Sequence, residues 1–260
     1  MGRTRVPIRT LLGQTDLRAR STLTIPVLAS RAVAVAVEID ASEVLTAWEI
    51  GRDLLDESGC WPVVVAAWMA GGSSWRSAFE SENLFNRFPF QEHSTSEDAS
   101  PDAILRRAAD IDASEALDSL FAANPSILDS PNRKWKGTDE HLQWFVPSSM
   151  PVALLFLPSA EGPDALAYLH WYAAIRHDSA SFVAILRRWR QQWGAELVAH
   201  YGTILQFVVE RPPQDLQSAH KLAEEQVIVA PCTTGLQGVD LSSHATALLN
   251  RRTWFLHERP

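Results

Sequence analysis

The alternation of apolar and polar residues is most regular in the C-terminal half of the chain. The apolar run from Val152 to Leu157 predicts a buried strand. A second apolar run, from Ala165 to Trp171, follows a Glu-Gly-Pro-Asp turn and predicts another strand. Apolar residues then recur every three or four positions between Asp178, a residue type that caps helix N-termini, and Gly194. This spacing predicts an amphipathic helix.

The rest of the C-terminal half predicts short strands and helices in alternation. A turn at Gly202 between two apolar segments is typical of a hairpin. Pro212-Pro213 ends the second hairpin strand and favours a helix start. His244 is expected on the exposed surface of the last helix. The predicted elements are hairpin strands of residues 196–201 and 204–210, helices of residues 214–229 and 241–249, and a strand of residues 253–257.

The N-terminal half contains one strand–helix–strand pattern. Residues 32–39 are rich in Val and Ala and predict a strand. Asp40 and Glu43 have the spacing of a capping box, so a helix is expected to begin there and to end at Gly59. The apolar run from Trp61 to Trp68 predicts a second buried strand, and a parallel arrangement of the two strands is favoured.

The segments on either side of this pattern are more polar. Residues 1–22 are rich in Arg without a regular apolar period and are expected to form a loose arm. One helical pattern runs from Pro101 to Ala123 between polar stretches at 91–100 and 130–140. The sequence therefore predicts four segments: a basic N-terminal arm (1–31), a strand–helix–strand unit (32–75), an acidic, partly helical insertion or cap (76–149), and a C-terminal α+β domain (150–260) that packs with 32–75.

Together these elements predict an α+β fold in which a mixed sheet of about six or seven strands carries helices mainly on one face. With 260 residues, 46% of them hydrophobic, the chain can bury a sizeable core without a metal or disulfide. The only two cysteines, Cys60 and Cys232, suit a reducing compartment. Since no apolar run is long and uninterrupted enough to span a membrane, we expect a soluble, cytoplasmic protein without membrane contact.

The net charge of −8 is unevenly distributed. Residues 1–31 carry six Arg and one Asp, residues 32–130 carry 18 acidic residues and five Arg, and residues 131–260 carry equal numbers of each sign. This distribution argues against a general polyanion-binding protein. A basic protein that meets residues 32–130 is the expected kind of partner, and nucleic acid is expected only as a weak contact of the N-terminal arm.

The sequence lacks the common catalytic and cofactor motifs. Ala70-Gly71-Gly72-Ser73-Ser74 follows a predicted strand but has neither the Gly-Lys-Ser/Thr of a phosphate loop nor the Gly-x-Gly-x-x-Gly of a dinucleotide site, so an ordinary loop is favoured. Two Cys outside a Cys-x-x-Cys pair do not predict a zinc site. We therefore expect no cofactor and no metal site. The ten Trp are expected to be mainly core residues.

Four stretches of the C-terminal half resemble, in their order, the bacterial domain of unknown function 4253 family. They are ILRRW at 185–189, WGAELV at 193–198, VERPP at 209–213 and AEEQ at 223–226. Upstream, Trp48 and the stretch 59–63 resemble the segment that precedes this domain in longer members. The resemblance implies a compact α+β domain in a bacterial cytoplasm, and it implies no activity.

Two departures from the family pattern predict a divergent member. Residues 173–177 read Ala-Ala-Ile-Arg-His, where members carry a turn similar to Trp-Asn-x-Cys-Pro. Residues 230–232 read Ala-Pro-Cys, where members tend to carry Cys-Pro-Asp. If those polar residues form a site in the family, that site is altered or absent in this chain.

Several polar or reactive side chains are candidates for a ligand site, and each also has a plainer structural interpretation. Glu225 and Gln226 are expected on the sheet-facing side of their helix, where a solvated or capping role is the plainer one. Arg211, beside Glu210, could bind an anion or form a surface pair. Cys232 has no identifiable base to make it a nucleophile. The ligand-binding candidates are Trp171, Glu210, Arg211, Glu225, Gln226, Cys232 and Gln237, and no catalytic residue is identified.

Two functional hypotheses follow. The first is a non-catalytic binding or interaction module, and one concrete form of it is an immunity protein that neutralises a basic toxin. The second is an enzyme or small-ligand-binding protein with a pocket near Trp171, Glu210, Arg211, Glu225 and Gln237. Convergence of these polar groups in a deep pocket would favour the second hypothesis, and their dispersal over the outer surface would count against it.

Overall fold

The computed structural model describes residues 5–27, 30–67, 74–81, 100–128, 139–175 and 177–259. The strands of this part of the chain are β1 (Thr22–Pro26), β2 (Val33–Ile39), β3 (Trp61–Ala66), β4 (Val152–Leu157), β5 (Ala195–His200), β6 (Ile204–Val209) and β7 (Thr253–His257). These seven described strands form one mixed sheet in the order β1-β2-β4-β3-β5-β6-β7. The predicted α+β fold with a mixed sheet is therefore confirmed.

The helices of the described residues are α1 (Ile8–Leu12), α2 (Val44–Asp53), α3 (Leu55–Ser58), α4 (Trp75–Ser81), α5 (Pro101–Asp110), α6 (Ala113–Ala123), α7 (Ala165–Tyr168), α8 (Ser179–Trp193), α9 (Leu216–Val229), α10 (Cys232–Gly235) and α11 (Leu241–Leu248). Short 3-10 turns lie between them, including Asp139–Leu142 and Gly162–Asp164. The Gly-rich turn at 70–74 and the polar stretches at 91–100 and 130–140 fall mainly outside the described residues.

The chain divides into two compact units that cut across the four predicted segments. The first unit comprises Met1–Ile104, Val146–His170 and Val198–Tyr201. The second comprises Leu105–Phe145, Trp171–Leu197 and Gly202–Pro260. β4, at the start of the predicted C-terminal domain, lies in the first unit, where it pairs with β2 and β3.

In the first unit, β4 lies between β2 and β3 and is antiparallel to both. The two predicted strands of the strand–helix–strand pattern therefore run in the same direction without being neighbours. β3 also pairs in parallel with β5, through Val64 and Ala199. Every residue of β3 and β4 is buried, so both faces of these strands are covered. That the helices lie mainly on one face stays a prediction.

Helix α2 approaches these strands closely. The indole N–H of Trp48 donates to the Pro62 carbonyl at 3.1 Å. A Cβ on Gly51 would lie 2.9 Å from the Pro62 Cβ and 3.1 Å from the Leu154 Cδ2, so only a glycine fits there without a shift of its neighbours. The helical region ends at Gly59, in the left-handed conformation with φ of 63°, as predicted.

Two predictions for the N-terminal part are wrong. Residues 1–22 are not a loose arm over their described length, because Ile8, Leu11 and Leu12 form the buried side of α1 at helical spacing. The capping box is also not formed. Arg20 donates to both Asp40 and Glu43, neither side chain caps a helix, and α2 begins only after a 3-10 turn.

Two further elements differ from the prediction. The run from Ala165 to Trp171 contains helix α7 and no strand, since a fully buried apolar run does not distinguish a strand from a buried helix turn. The helical pattern from Pro101 to Ala123 is divided into α5 and α6. The helix is interrupted at Asp112, because its carboxylate accepts hydrogen bonds from the backbone N–H groups of Ser114 and Glu115 and so caps α6.

In the second unit, aspartates cap three more of the described helices besides α6. Asp178, Asp215 and Asp240 accept backbone N–H groups at the starts of α8, α9 and α11. Gly194 ends α8 with φ of 63°, as predicted. The hairpin prediction is confirmed for its strands β5 and β6, and β6 pairs antiparallel with β7.

Candidate functional site

A buried polar cluster in the second unit contains the candidate Glu225. The Arg188 Nη2 donates to the Glu225 Oε1 at 2.6 Å, and the Trp189 indole N–H donates to the Glu225 Oε2 at 2.8 Å. Arg188 also donates to the Ser114 hydroxyl at 3.1 Å. Glu225 is 7% exposed, so this ion pair is largely shielded from water. Both carboxylate oxygens of Glu225 accept hydrogen bonds from side chains of α8, so Glu225 links α9 to α8.

Gln226, the next residue, is completely buried. Among the described residues, neither its amide nitrogen nor its amide oxygen has a hydrogen-bond partner. A buried amide without partners costs about 1–3 kcal/mol in proteins. The position is therefore unusual for an ordinary core residue, and the predicted solvated role for Gln226 is wrong.

A pair of buried histidines lies in the same unit. The His141 Nε2 and the His244 Nδ1 are 3.0 Å apart and share a hydrogen bond. Burial lowers the pKa of His141 to about 4, with Arg251 acting in the same direction, and lowers the pKa of His244 to about 3. Both rings are therefore neutral near pH 7. The prediction that His244 lies on a helix surface is wrong, because it is fully buried on α11.

Arg251 anchors the turn that carries His141. Its guanidinium donates to the Asp139 carboxylate and to the Leu142 carbonyl, the latter at 2.6 Å. Its Nε donates to the Thr253 carbonyl at 3.1 Å. The turn is thereby fixed to the start of β7, which places His141 against α11.

The other candidates occupy separate surroundings. Trp171 is 1% exposed, stacks edge-on against Phe182 and donates to the Thr203 carbonyl at 3.5 Å, as a core residue would. Glu210 and Arg211 form an exposed pair at 2.6 Å. This arrangement matches the plainer interpretation of the Glu-Arg pair.

Cys232 and Gln237 belong to the segment that includes α10. Cys232 is partly exposed, and its N–H donates to the Glu258 carboxylate at 3.2 Å. Burial raises the pKa of its thiol, and the negative charge of Glu258 acts in the same direction, which disfavours the thiolate that a nucleophile requires. Gln237 is exposed.

The hydrogen bonds and ion pairs of the described residues do not join these candidates into one pocket. Glu225 binds Arg188 and Trp189, whereas Glu210 binds Arg211. A shallow groove along the N-terminal half of α9 contains none of the candidates; it is lined by Leu216, Gln217, Ser218, His220, Lys221 and Glu224.

Sequence reasoning missed the partners of the buried polar residues. Arg188 reaches Glu225 at a separation of 37 residues. His141 and His244 are 103 residues apart. The sequence does show the Arg188-Trp189 pair on α8 and the Glu225-Gln226 pair on a buried helix face. Nothing in it indicates that Arg188 and Trp189 bind Glu225.

Most Trp residues in the described part of the chain lie in the core. Of its eight Trp, five are buried: Trp48, Trp61, Trp171, Trp189 and Trp254.

Both cysteines are free thiols. The described residues include no cluster of three or more His, Cys, Asp or Glu that could hold a metal ion. Within the same residues, every helix is too short or too polar to traverse a bilayer.

The comparison with known families gives one match. Residues 153–257 match the model of the family described as Domain of unknown function (DUF4253). This stretch of the chain belongs to that family, as its four motif stretches predicted. Neither a curated protein nor a solved structure matches the chain.

Proposed function

We propose that the protein is a non-catalytic interaction module that binds a basic protein partner through an acidic surface of its first unit. The observation that carries this proposal is a set of exposed carboxylates on α2 and α3. They are Glu49, Asp53, Asp56 and Glu57, called the acidic strip below.

The acidic strip is available for an outside partner. Successive residues of the strip are four, three and one positions apart in the sequence, so the carboxylates lie toward one side of the helical segment. In the described part of the chain, none of the four forms an ion pair. Asp40 and Glu43, by contrast, are already bound by Arg20. Unpaired like charges repel one another, and a basic partner would relieve that repulsion.

The residues with catalytic potential are engaged in structural contacts. Both oxygens of Glu225 hold donors from α8, which leaves it poorly placed to accept a proton from a substrate. The thiol of Cys232 has a raised pKa. The buried pair of His141 and His244 is hydrogen-bonded internally. These placements favour an interaction role over catalysis.

A specific form of this role is neutralisation of a basic toxin, as an immunity protein would perform it. Charge complementarity supports that form, since acidic strips speed the capture of basic proteins and their effect weakens with salt. The resemblance to a bacterial family agrees with the same setting.

Affinity capture tests the proposed function. The immobilised full chain is exposed to extract of its source organism at low and at high salt, and retained proteins are identified. We expect one basic protein to bind in stoichiometric amount at low salt and to be lost at high salt.

Matched variants make the test specific. The first variant neutralises the acidic strip with Glu49→Gln, Asp53→Asn, Asp56→Asn and Glu57→Gln. The control removes the same number of exposed charges from the second unit with Asp110→Asn, Glu115→Gln, Asp118→Asn and Glu140→Gln. Only the first variant should lose the partner. Equal capture by both variants, or capture that high salt leaves intact, would contradict the proposal.

A further inference from the structure

The hydrogen bond between His141 and His244 holds a short turn of the second unit against its core. His141 lies in the 3-10 turn Asp139–Leu142, and His244 lies on α11. The two residues are 2% and 0% exposed, and the bond joins Nε2 of His141 to Nδ1 of His244 at 3.0 Å. The same turn packs against β7 and α10, so it covers part of the sheet edge that β7 forms in the described strand order.

This hydrogen bond depends on the protonation of the two rings. It needs a proton on one of the two facing nitrogens and a lone pair on the other. When both rings are protonated, every ring nitrogen carries a proton, so two N–H groups would face each other at 3.0 Å. Two positive charges in a poorly hydrated place also repel each other. The bond therefore persists only while at least one ring is neutral.

The charged groups around the pair do not compensate for a second positive charge. Arg251 lowers the pKa of His141, and Asp139 raises it but is itself bound to Arg251. His141 in turn lowers the pKa of His244. The other titratable groups on the turn and on the elements that pack against it or against α11 are Glu140, His220, Lys221, Glu224, Glu225, Cys232 and His257. The buried carboxylate of this set, Glu225, is already held in an ion pair.

The turn is small enough to open without unfolding the rest of the unit. Of its four residues, His141 and Leu142 are buried. Arg251 holds it through the Asp139 carboxylate and the Leu142 carbonyl. Just beyond the turn, the buried Gln206 amide donates to the Phe145 carbonyl at 3.1 Å and accepts the Phe145 N–H at 2.7 Å, which limits the movable stretch to residues 139–144. Stretches with few buried apolar contacts open locally at lower cost than the core.

We propose that the His141–His244 pair is an acid-sensitive switch: protonation of both rings breaks their hydrogen bond, releases the turn Asp139–Leu142 from α11 and uncovers the adjoining edge of β7. Opening lets water reach the rings, which then bind protons at the ordinary His pKa of 6.5. In the closed turn their pKa values are about 4 and about 3. Opening is therefore favoured as the pH falls below 6.5 and is insensitive to pH above about 7. The switch is independent of the acidic strip of the first unit.

Hydrogen exchange of the full chain tests this local opening. Exchange is followed by mass spectrometry at about pH 7.5 and about pH 5.5, corrected for the intrinsic effect of pH on amide exchange, with and without urea below the unfolding transition. Each ring that regains its ordinary pKa contributes about 10-fold at the lower pH, so residues 139–144 should lose about 100-fold in protection. The loss should be the same in both urea conditions, because local opening exposes little surface.

Strand β4 is the internal reference for this experiment. All of its residues are buried, so its amides should exchange through unfolding of the protein and faster with urea. Protection of residues 139–144 that is equal at the two pH values would overturn the proposal, because opening would then be unlinked to protonation. Protection that follows urea in parallel with β4 would also overturn it, because the turn would then have no opening of its own.

Variants separate the histidine pair from the contacts of Arg251. His141→Gln combined with His244→Gln removes both titrating rings and should abolish the pH dependence of the turn. Either single variant keeps one ring and should retain about 10-fold, which provides the test where the double variant fails to fold. Asp139→Asn weakens the pair with Arg251, so the turn should open more at both pH values with the pH dependence kept.

His220→Gln is the matched control, since His220 is a half-exposed histidine on α9 that pairs only with Glu224 among the described residues. It should show the full loss of protection that the parent shows. A folded single or double variant of His141 and His244 that loses as much protection at low pH as the parent and the His220→Gln control would overturn the proposal.

Discussion

Glu225 brings a negative charge into the interior of the second unit, where its side chain is 9% exposed. Such a charge is tolerated only when it is paired and hydrogen-bonded, because its removal from water costs several kcal/mol. Arg188 provides the opposite charge and Trp189 satisfies the second oxygen. Removal of one member would leave the others unpaired in a poorly hydrated place.

The substitution Glu225→Ala should therefore lower the free energy of unfolding by about 3 kcal/mol. It leaves the Trp189 N–H without an acceptor and the Arg188 guanidinium without its counter-charge. Arg188→Ala should cost at least as much, because it leaves the Glu225 carboxylate, whose side chain is only 9% exposed, without its counter-charge. Denaturant unfolding of both variants measures the difference.

Glu224→Ala is the control for this prediction. Glu224 precedes Glu225 on α9, and within the described residues its side chain forms only an exposed pair with His220 at 3.4 Å. Exposed pairs contribute about 0–1 kcal/mol, so this variant should remain close to the parent. If Glu225→Ala and Glu224→Ala are equally stable, the buried cluster does not stabilise the second unit.

At the scale of single residues, the sequence indicated that Glu225 and Gln226 are unusual, but it did not indicate which residues surround them. Two adjacent polar residues on a predicted buried face are visible in the chain itself. Arg188 and His141 are not, because their partners lie 37 and 103 residues away. Which distant side chain reaches a buried polar group depends on how the helices pack.

At the scale of elements, Gly51 allows α2 to lie close to β3 and β4. Glycine is a poor helix former, and replacement by alanine at an unconstrained helical position stabilises a protein by about 0.5–1 kcal/mol. At Gly51 the added methyl group would meet Pro62 at 2.9 Å and Leu154 at 3.1 Å. The steric cost in a well-packed core exceeds the gain in helix propensity.

We therefore expect Gly51→Ala to destabilise the protein by about 1–2 kcal/mol, as measured by urea unfolding. Thr46→Ala, at an exposed position of the same helix, raises helix propensity without a steric conflict and should be neutral or slightly stabilising. A Gly51→Ala variant that is more stable than the parent would show that α2 does not pack as closely as described.

Elements with local signals were predicted well. Helix α8 has its Asp178 cap, its apolar spacing and its terminal Gly194 in the sequence, and the structure agrees at both ends. Helix α7 was predicted as a strand, because a buried run of apolar residues carries no periodicity that separates the two states. The short α1 was missed, although Ile8, Leu11 and Leu12 have helical spacing.

At the scale of the whole molecule, three buried histidines link stability to pH. Burial lowers the pKa of His141 to about 4 and lowers the pKa values of His200 and His244 to about 3. The unfolded chain has an ordinary His pKa of 6.5. Below that pH the unfolded state binds protons that the folded state does not, so folding is disfavoured as the pH falls.

The free energy of unfolding should therefore be constant above about pH 7 and decrease below about pH 6.5, by up to about 1.4 kcal/mol per pH unit for each of the three histidines. Urea unfolding between about pH 8 and pH 5, where Asp and Glu remain largely ionised, measures this slope. The exposed His220, replaced by Gln, should leave the slope unchanged. A free energy that is independent of pH down to pH 5 would contradict the prediction.

The order of the strands could not be read from the chain. β2 and β3 are close in sequence, and the sequence favoured only a parallel arrangement of the two, without an order. In the structure β4, from about 90 residues further on, lies between them. Nothing local in Val152–Leu157 specifies this position, since all three strands are similar apolar segments.

The sequence by itself determined the α+β class, most of the elements from residue 152 onwards and the family of residues 153–257, because spacing, caps and motif residues act over short distances. Only the tertiary structure decided the strand order, the pairing of Glu225 with Arg188, the burial of His244 and the unpartnered amide of Gln226. These depend on contacts between residues far apart in the chain, which packing selects and local pattern does not encode.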